Sequence, residues 1–202
     1  MVWGAGEGAM TSMLERYLRG MNRHGRGRSD PGEASEPLRF IVHMRATHMP
    51  HYDLGLEVGG VFRSWLLVQC LSLDPTVERM ALQLSNRSLE EAEREDEPVA
   101  GECGTGEVVV WDTGVYSPDD DCTFFFGDRY EAEERMERGI GAGRFSVFFW
   151  GYKLAGSWAF RQTGGGQWVI RKRDDLFVDP SRDLSLENRS VVSGRVIGSA
   201  KE

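Results

Sequence analysis

The chain has 202 residues, 40% of them hydrophobic and 28% charged, with a formal net charge of −8. That is enough for one globular domain with a real core plus tails. The negative balance argues at first sight against a nucleic-acid partner, but its distribution weakens the objection. Residues 90–97 carry six acids and one base, and residues 119–137 carry eight acids and two bases, so the remainder holds eighteen acids against twenty-one bases. Each acidic run reads as a solvated helix or loop. Cys70, Cys103 and Cys122 are odd in number, far apart and without a CxxC pair. They point to neither a disulfide framework nor a structural zinc site, and a reducing compartment fits them best. No segment approaches the roughly 20 apolar residues of a membrane helix. The N-terminus, with Gly4, Glu7 and Gly8, lacks the apolar core of a secretory signal. The expected location is intracellular, cytoplasmic in a prokaryote, with no membrane partner.

Residues 1–35 read as a flexible arm rich in Gly and Arg, with a short helix near Thr11–Leu18. Strand patterns follow at Leu38–His43, Asp53–Val58 and Val61–Val68, with Gly59-Gly60 as the hairpin turn between the last two. Arg79–Leu84 alternates apolar and polar residues. Glu107–Trp111, Arg144–Trp150, Ser157–Gln162 and Gln167–Lys172 are further strands bounded by glycines. About eight short strands with Gly-rich turns predict an all-β fold, an antiparallel barrel or sandwich. Residues 118–142 interrupt the pattern as a surface insertion. Within it Asp128–Arg138 reads as a helix, with acids in its first turn and Gly139 just past its end. Residues 179–202 read as a polar, mobile C-terminal tail. Trp65, Trp111, Trp158 and Trp168 are expected in the core.

The stretch Arg39–Asp53 places His43, His48 and His51, three of the four histidines, within nine positions and follows them with Asp53. On an extended strand His51 and Asp53 project from the same face. Imidazole plus carboxylate suits a divalent ion that handles phosphate, such as Mn or Zn. A polar turn beside a strand accounts for the same spacing. Tyr52, between the two, should point away into packing.

Several blocks, in order, resemble the 3′-phosphoesterase domain of bacterial DNA ligase D. They are Arg39–Asp53, Gly60-Val-Phe-Arg-Ser-Trp65 running on to Ser72-Leu-Asp-Pro75, and Gly101–Gly106 followed by Val108–Asp112. Gly143–Trp158, Gly164–Trp168 and Lys172-Arg-Asp-Asp175 complete the set. The match covers roughly residues 36–178. The resemblance implies an antiparallel β-barrel of about eight strands with peripheral helices. It also implies a manganese-dependent (or zinc-dependent) trimmer of DNA 3′ ends in end-joining repair. Such an enzyme removes a 3′-ribonucleoside and then the 3′-phosphate at a primer–template duplex, and a separate ligase or polymerase could act next.

Carried over position by position, the resemblance is partial. His51 and Asp53 match two of the family's metal ligands, and Arg45 stands where the third, a histidine, is expected. His43, which shares a strand face with Arg45, or His48 in the turn could replace it, or the Arg45 guanidinium could fill the cavity itself. The family's catalytic histidine falls on Arg87 and a tyrosine on Glu91. An arginine falls on Gly55 and a lysine on Gln69. Arg79 keeps a basic phosphate-contacting position, and Asp30 with Glu36-Pro37 matches an N-terminal arm motif. The resemblance thus implies Arg79, Arg87 and Arg45 as catalytic-site positions, Asp30 and Glu36 as arm contacts, and a metal held by His51, Asp53 and either His43 or His48. With chemical residues replaced, phosphoesterase activity is expected to be reduced or lost. The alternative is a non-catalytic DNA-end or protein-binding module on the same barrel. Arg45, Arg79 and Arg87 are then expected on one concave face with His51 and Asp53.

Overall fold

In the computed structural model the described residues are 36–47, 49–92, 94–95 and 107–197. The expected helix near Thr11–Leu18, Asp30, His48, Cys103 and the Gly104–Gly106 turn lie outside them.

Eight antiparallel strands close into a barrel. They are β1 (Leu38–Ala46), β2 (His51–Val58), β3 (Val61–Leu67), β4 (Glu78–Gln83), β6 (Glu107–Asp120), β8 (Arg144–Gly151), β9 (Ala155–Gly164) and β10 (Gln167–Lys172). Around the ring the order is β1-β2-β3-β4-β10-β9-β8-β6, and β6 pairs back onto β1. Two-residue strands lie outside the ring: β5 (Arg87–Ser88) on β3 and β7 (Thr123–Phe124) on β6. Closure leaves the barrel without long free edges.

Pleat alternation sorts the residues. On β1 and β2, Leu38, Phe40, Val42, Tyr52, Leu54, Leu56 and Val58 enter the main core. Trp65, Trp111, Trp158 and Trp168 join them, each almost fully buried, as their strand positions predict. The Tyr52 ring packs edge-on against Trp111 at 5.4 Å, away from the putting-together of its polar neighbours His51 and Asp53. Gly59 and Gly60 both adopt positive φ, +61° and +77°. That is the two-residue hairpin turn whose twist matches its flanking strands.

The helix α2 runs over Arg129–Gly141, with Asp128 accepting from the Glu131 amide as its N-cap. A four-residue helix, α1 (Leu89–Ala92), precedes it in the chain. The α2 helix passes the expected stop at Gly139. A Cβ there would lie 2.7 Å from the Phe145 Cβ, so this glycine serves close helix–strand approach. The stop comes at Gly143, with φ +70°. Ala132 and Met136 of α2 are buried in the main core.

Residues 180–197 dock on the barrel, contrary to the expectation of a mobile tail. Leu184 and Ile197 are buried. The Trp111 indole donates to the Glu187 carbonyl, and Lys153 Nζ donates to the Glu187 and Arg189 carbonyls at 3.1 and 2.7 Å. Asp112 fixes the turn that carries Lys153 by accepting from the amides of Tyr152, Lys153 and Leu154.

Candidate anion site on the outer barrel face

The residues left over by the core define the site. On β1 and β2 the positions alternating with the core face outward. Register places His43 opposite Asp53 and Arg45 opposite His51. Beneath them lies a second, smaller apolar cluster of Ile41, Phe62 and Val110, with Leu89 and Val191 against it. Gly55 belongs to the same face. A Cβ there would lie 3.2 Å from both Ile41 and Phe62, so the missing side chain lets this cluster close. The β1–β6 register shifts between Val42 and His43, a bulge that re-aims the chain beside the site.

Asp53 is buried, and its Oδ2 accepts from Arg45 Nε at 2.6 Å. Arg87 NH1, arriving from β5, stands 3.7 Å from the same oxygen. The other oxygen, Oδ1, has no hydrogen-bond partner among the described residues. His43 is fully buried, and neither ring nitrogen makes a hydrogen bond of normal geometry there. Its pKa is pushed down to about 4. Burial is the largest cause and the Arg87 and Arg45 charges add to it, against smaller opposing effects of Asp53 and the nearby Arg94 backbone. The ring is therefore neutral near pH 7.

His51 lies at the hairpin end with its Nδ1 2.9 Å from the Met49 carbonyl. It shares the outward face, but its ring is engaged with the turn. Glu36 lies exposed just before β1. Arg79 does not join the cluster. It projects on the inward face of β4 with Ala81, because Leu66, which pairs with Asp53, is in register with Leu82. Its Nε donates to the Cys70 carbonyl at 2.7 Å, at the barrel rim. The expectation of all three arginines on one face therefore fails at Arg79, and it fails by strand parity. Gln69 is exposed in the loop after β3.

A neighbouring arrangement, missed in the sequence, shows what an ordinary structural cluster looks like here. Glu57, also on the outer face of β2, accepts from Arg39 Nε at 3.0 Å and from Arg129 NH2 at 2.6 Å. Burial pushes the Glu57 carboxyl up, yet the hydrogen bonds from Arg129 and Arg39 outweigh it and hold the pKa below its usual value. Both Glu57 oxygens are used, and the cluster ties α2 to the barrel. At Asp53, by contrast, one buried oxygen has no hydrogen-bond partner among the described residues. The signal for Glu57 was its spacing of two residues from Gly55 and four from Asp53, which periodicity alone does not turn into a cluster. Two surface cavities, of about 320 and 270 Å³, are lined by other residues, including Lys153 with Arg182 and Arg135 with Arg144.

The described donor set, which leaves out His48, does not fit a bound divalent ion. Among the described residues no three His, Cys, Asp or Glu side chains converge. The carboxylate that would be shared is already held by one guanidinium and approached by a second.

A closed eight-stranded antiparallel barrel with an arginine–carboxylate–histidine cluster on its outer face defines the class of protein. Residues 43–162 match the family model described as the DNA Ligase D 3′-phosphoesterase domain, and the chain belongs to that family. It is 31% identical over 153 residues to the multifunctional non-homologous end joining protein LigD of Pseudomonas aeruginosa, covering 74% of this chain and 16% of that protein. It is 29% identical over 133 residues to the multifunctional non-homologous end joining DNA repair protein LigD of Mycobacterium tuberculosis, covering 66% of this chain and 16% of that one. The corresponding Mycolicibacterium smegmatis protein is 25% identical over 138 residues, with 68% and 17% covered. The chain thus spans about one sixth of the length of these relatives. No helix among the described residues is long and apolar enough to cross a membrane.

Proposed function

We propose that this barrel binds DNA 3′ ends in end-joining repair and that its phosphoesterase chemistry is reduced or absent. The observation that carries this reading is the Asp53 cluster. Two partly exposed guanidinium groups flank a buried carboxylate, with a buried neutral imidazole beside it. Arginine N–H groups suit phosphate oxygens. Proton transfer is where the arrangement is weak. General acid–base groups typically supply about 10²–10⁴ in rate. The position where the family places its catalytic histidine holds Arg87, which neither gives nor takes a proton at physiological pH. Family membership supports the end-joining context, and a separate ligase or polymerase is the proposed recipient of the bound end.

The test is a primer–template duplex carrying a 3′-ribonucleotide or a 3′-phosphate, incubated with Mn, with Asp53→Ala as control. The reading expects no trimming and a salt-sensitive complex with the duplex. Metal-dependent trimming that disappears in Asp53→Ala would overturn it in favour of an active phosphoesterase.

A further inference from the structure

Four of the outward side chains of the β1–β2 hairpin stand as two cross-strand pairs, His43 with Asp53 and Arg45 with His51. Three of the four are metal-donor types. The fourth, arginine, offers five N–H donors and no lone pair, and it stays charged at every pH that matters here. Its Nε lies 2.6 Å from Asp53 Oδ2 while Arg87 NH1 lies 3.7 Å from the same atom. An ion entering the square would have to share one buried carboxylate with two fixed cations. Asp53 Oδ1 and the His43 ring beside it, both buried, are the donors such an ion would otherwise take.

We infer that Arg45 is a built-in cation: it takes the place of a divalent ion on Asp53, closes the square to metal, and makes anion binding there independent of metal. This deepens the proposed reading of the same site. Only the nature of the anion rests on that reading, because the exclusion of metal is argued from the described side chains of the square. The physical exchange is of one positive charge for another. A guanidinium can neutralise a phosphate and orient it through paired N–H groups, but it cannot polarise a bound water into a nucleophile.

The experiment titrates MnCl2 alone into the full chain and follows it by calorimetry and by the electron-paramagnetic signal of free Mn. The wild type should show no stoichiometric uptake. Arg45→His should take up one Mn per chain, and Arg45→His/Asp53→Asn should lose it. Arg45→Ala frees the same carboxylate without adding a ring and should bind Mn more weakly than Arg45→His. It keeps the test open if the histidine variant does not fold. Stoichiometric uptake by the wild type that Asp53→Asn abolishes would overturn the inference. So would the absence of uptake in folded Arg45→His and Arg45→Ala. A second arm measures binding of a duplex bearing a 3′-phosphate in EDTA and in Mn, with equal Kd expected and a weaker complex in EDTA counting against the inference. Absence of duplex binding in both buffers would sink the DNA-end reading while the Mn titration still decides the role of Arg45.

Discussion

Asp53→Asn should lower stability and raise affinity for anions, two effects of opposite direction from one atom. In the wild type the carboxylate is 7% exposed, while the Arg45 and Arg87 side chains are 30% and 24% exposed. Losing a charged hydrogen bond costs about 1.5–3 kcal/mol. Removing one partner of a fully buried ion pair costs about 3–5 kcal/mol. Solvent reaches both guanidinium groups here and screens them, so the lower range applies, about 2 kcal/mol. With His43 neutral, two arginines and one aspartate give the cluster a charge of +1, and the substitution makes it +2. After screening, one added charge near a bound phosphate should contribute about 1 kcal/mol, roughly a fivefold tighter complex. Urea unfolding measures the first effect, and fluorescence anisotropy with a 3′-phosphate duplex at fixed salt measures the second. Unchanged stability would refute the ion-pair geometry. Weaker binding of the duplex would refute the anion-site argument, since a carboxylate that helps hold phosphate does so through a metal.

Arg87→Ala should weaken duplex binding and reduce the slope of log K against log salt by about one, read from titrations at several salt concentrations. His43 is held neutral with its pKa pushed down to about 4, from 6.5. The unfolded chain binds that proton first, so its contribution to stability is full above pH 6.5 and is lost as pH falls towards 4. Burial pushes Asp112 the other way, up to about 6, even though four backbone amides favour its charged form. Its contribution is therefore present at low pH and lost as pH rises through 6. The two slopes oppose each other between about pH 4 and 6 in the wild type, and His43→Leu should leave a stability that falls with rising pH in urea unfolding across that window. Met136→Ala, in α2, should cost about 2–5 kcal/mol, because it empties a fully buried site in the main core; an effect under about 1 kcal/mol would show that α2 is peripheral.

The barrel was legible in the sequence because alternation and glycine turns are local signals. Gln167–Lys172 matches the strand residue for residue, and the tryptophans fell where period two placed them. β6 was seen only as far as Trp111 and runs on to Asp120. Gly114, Ser117 and Pro118 carry no local strand signal, yet they pair with β8, and Asp119 pairs with β7. A Cβ at residue 114 would lie 2.2 Å from the Trp150 carbonyl, so glycine there answers to a neighbouring strand no local pattern reveals. The docked C-terminal segment was invisible for the same reason, since its anchors are backbone carbonyls. At the site, His51, Asp53 and Arg45 could be placed on one face by counting residues. The inward turn of Arg79 needed the β3–β4 register, and the reach of Arg87 needed β5, a strand of two residues.

The pleat of β1 and β2 divides the hairpin by parity: even-numbered positions build the main core and odd-numbered ones build the outer face. Positions 45 and 55 are both odd. Exchanges there touch no side chain of the main core, so selection on folding and selection on chemistry act on separate halves of the same ribbon. A lineage can then change what the outer face of its hairpin carries while the main core keeps its packing.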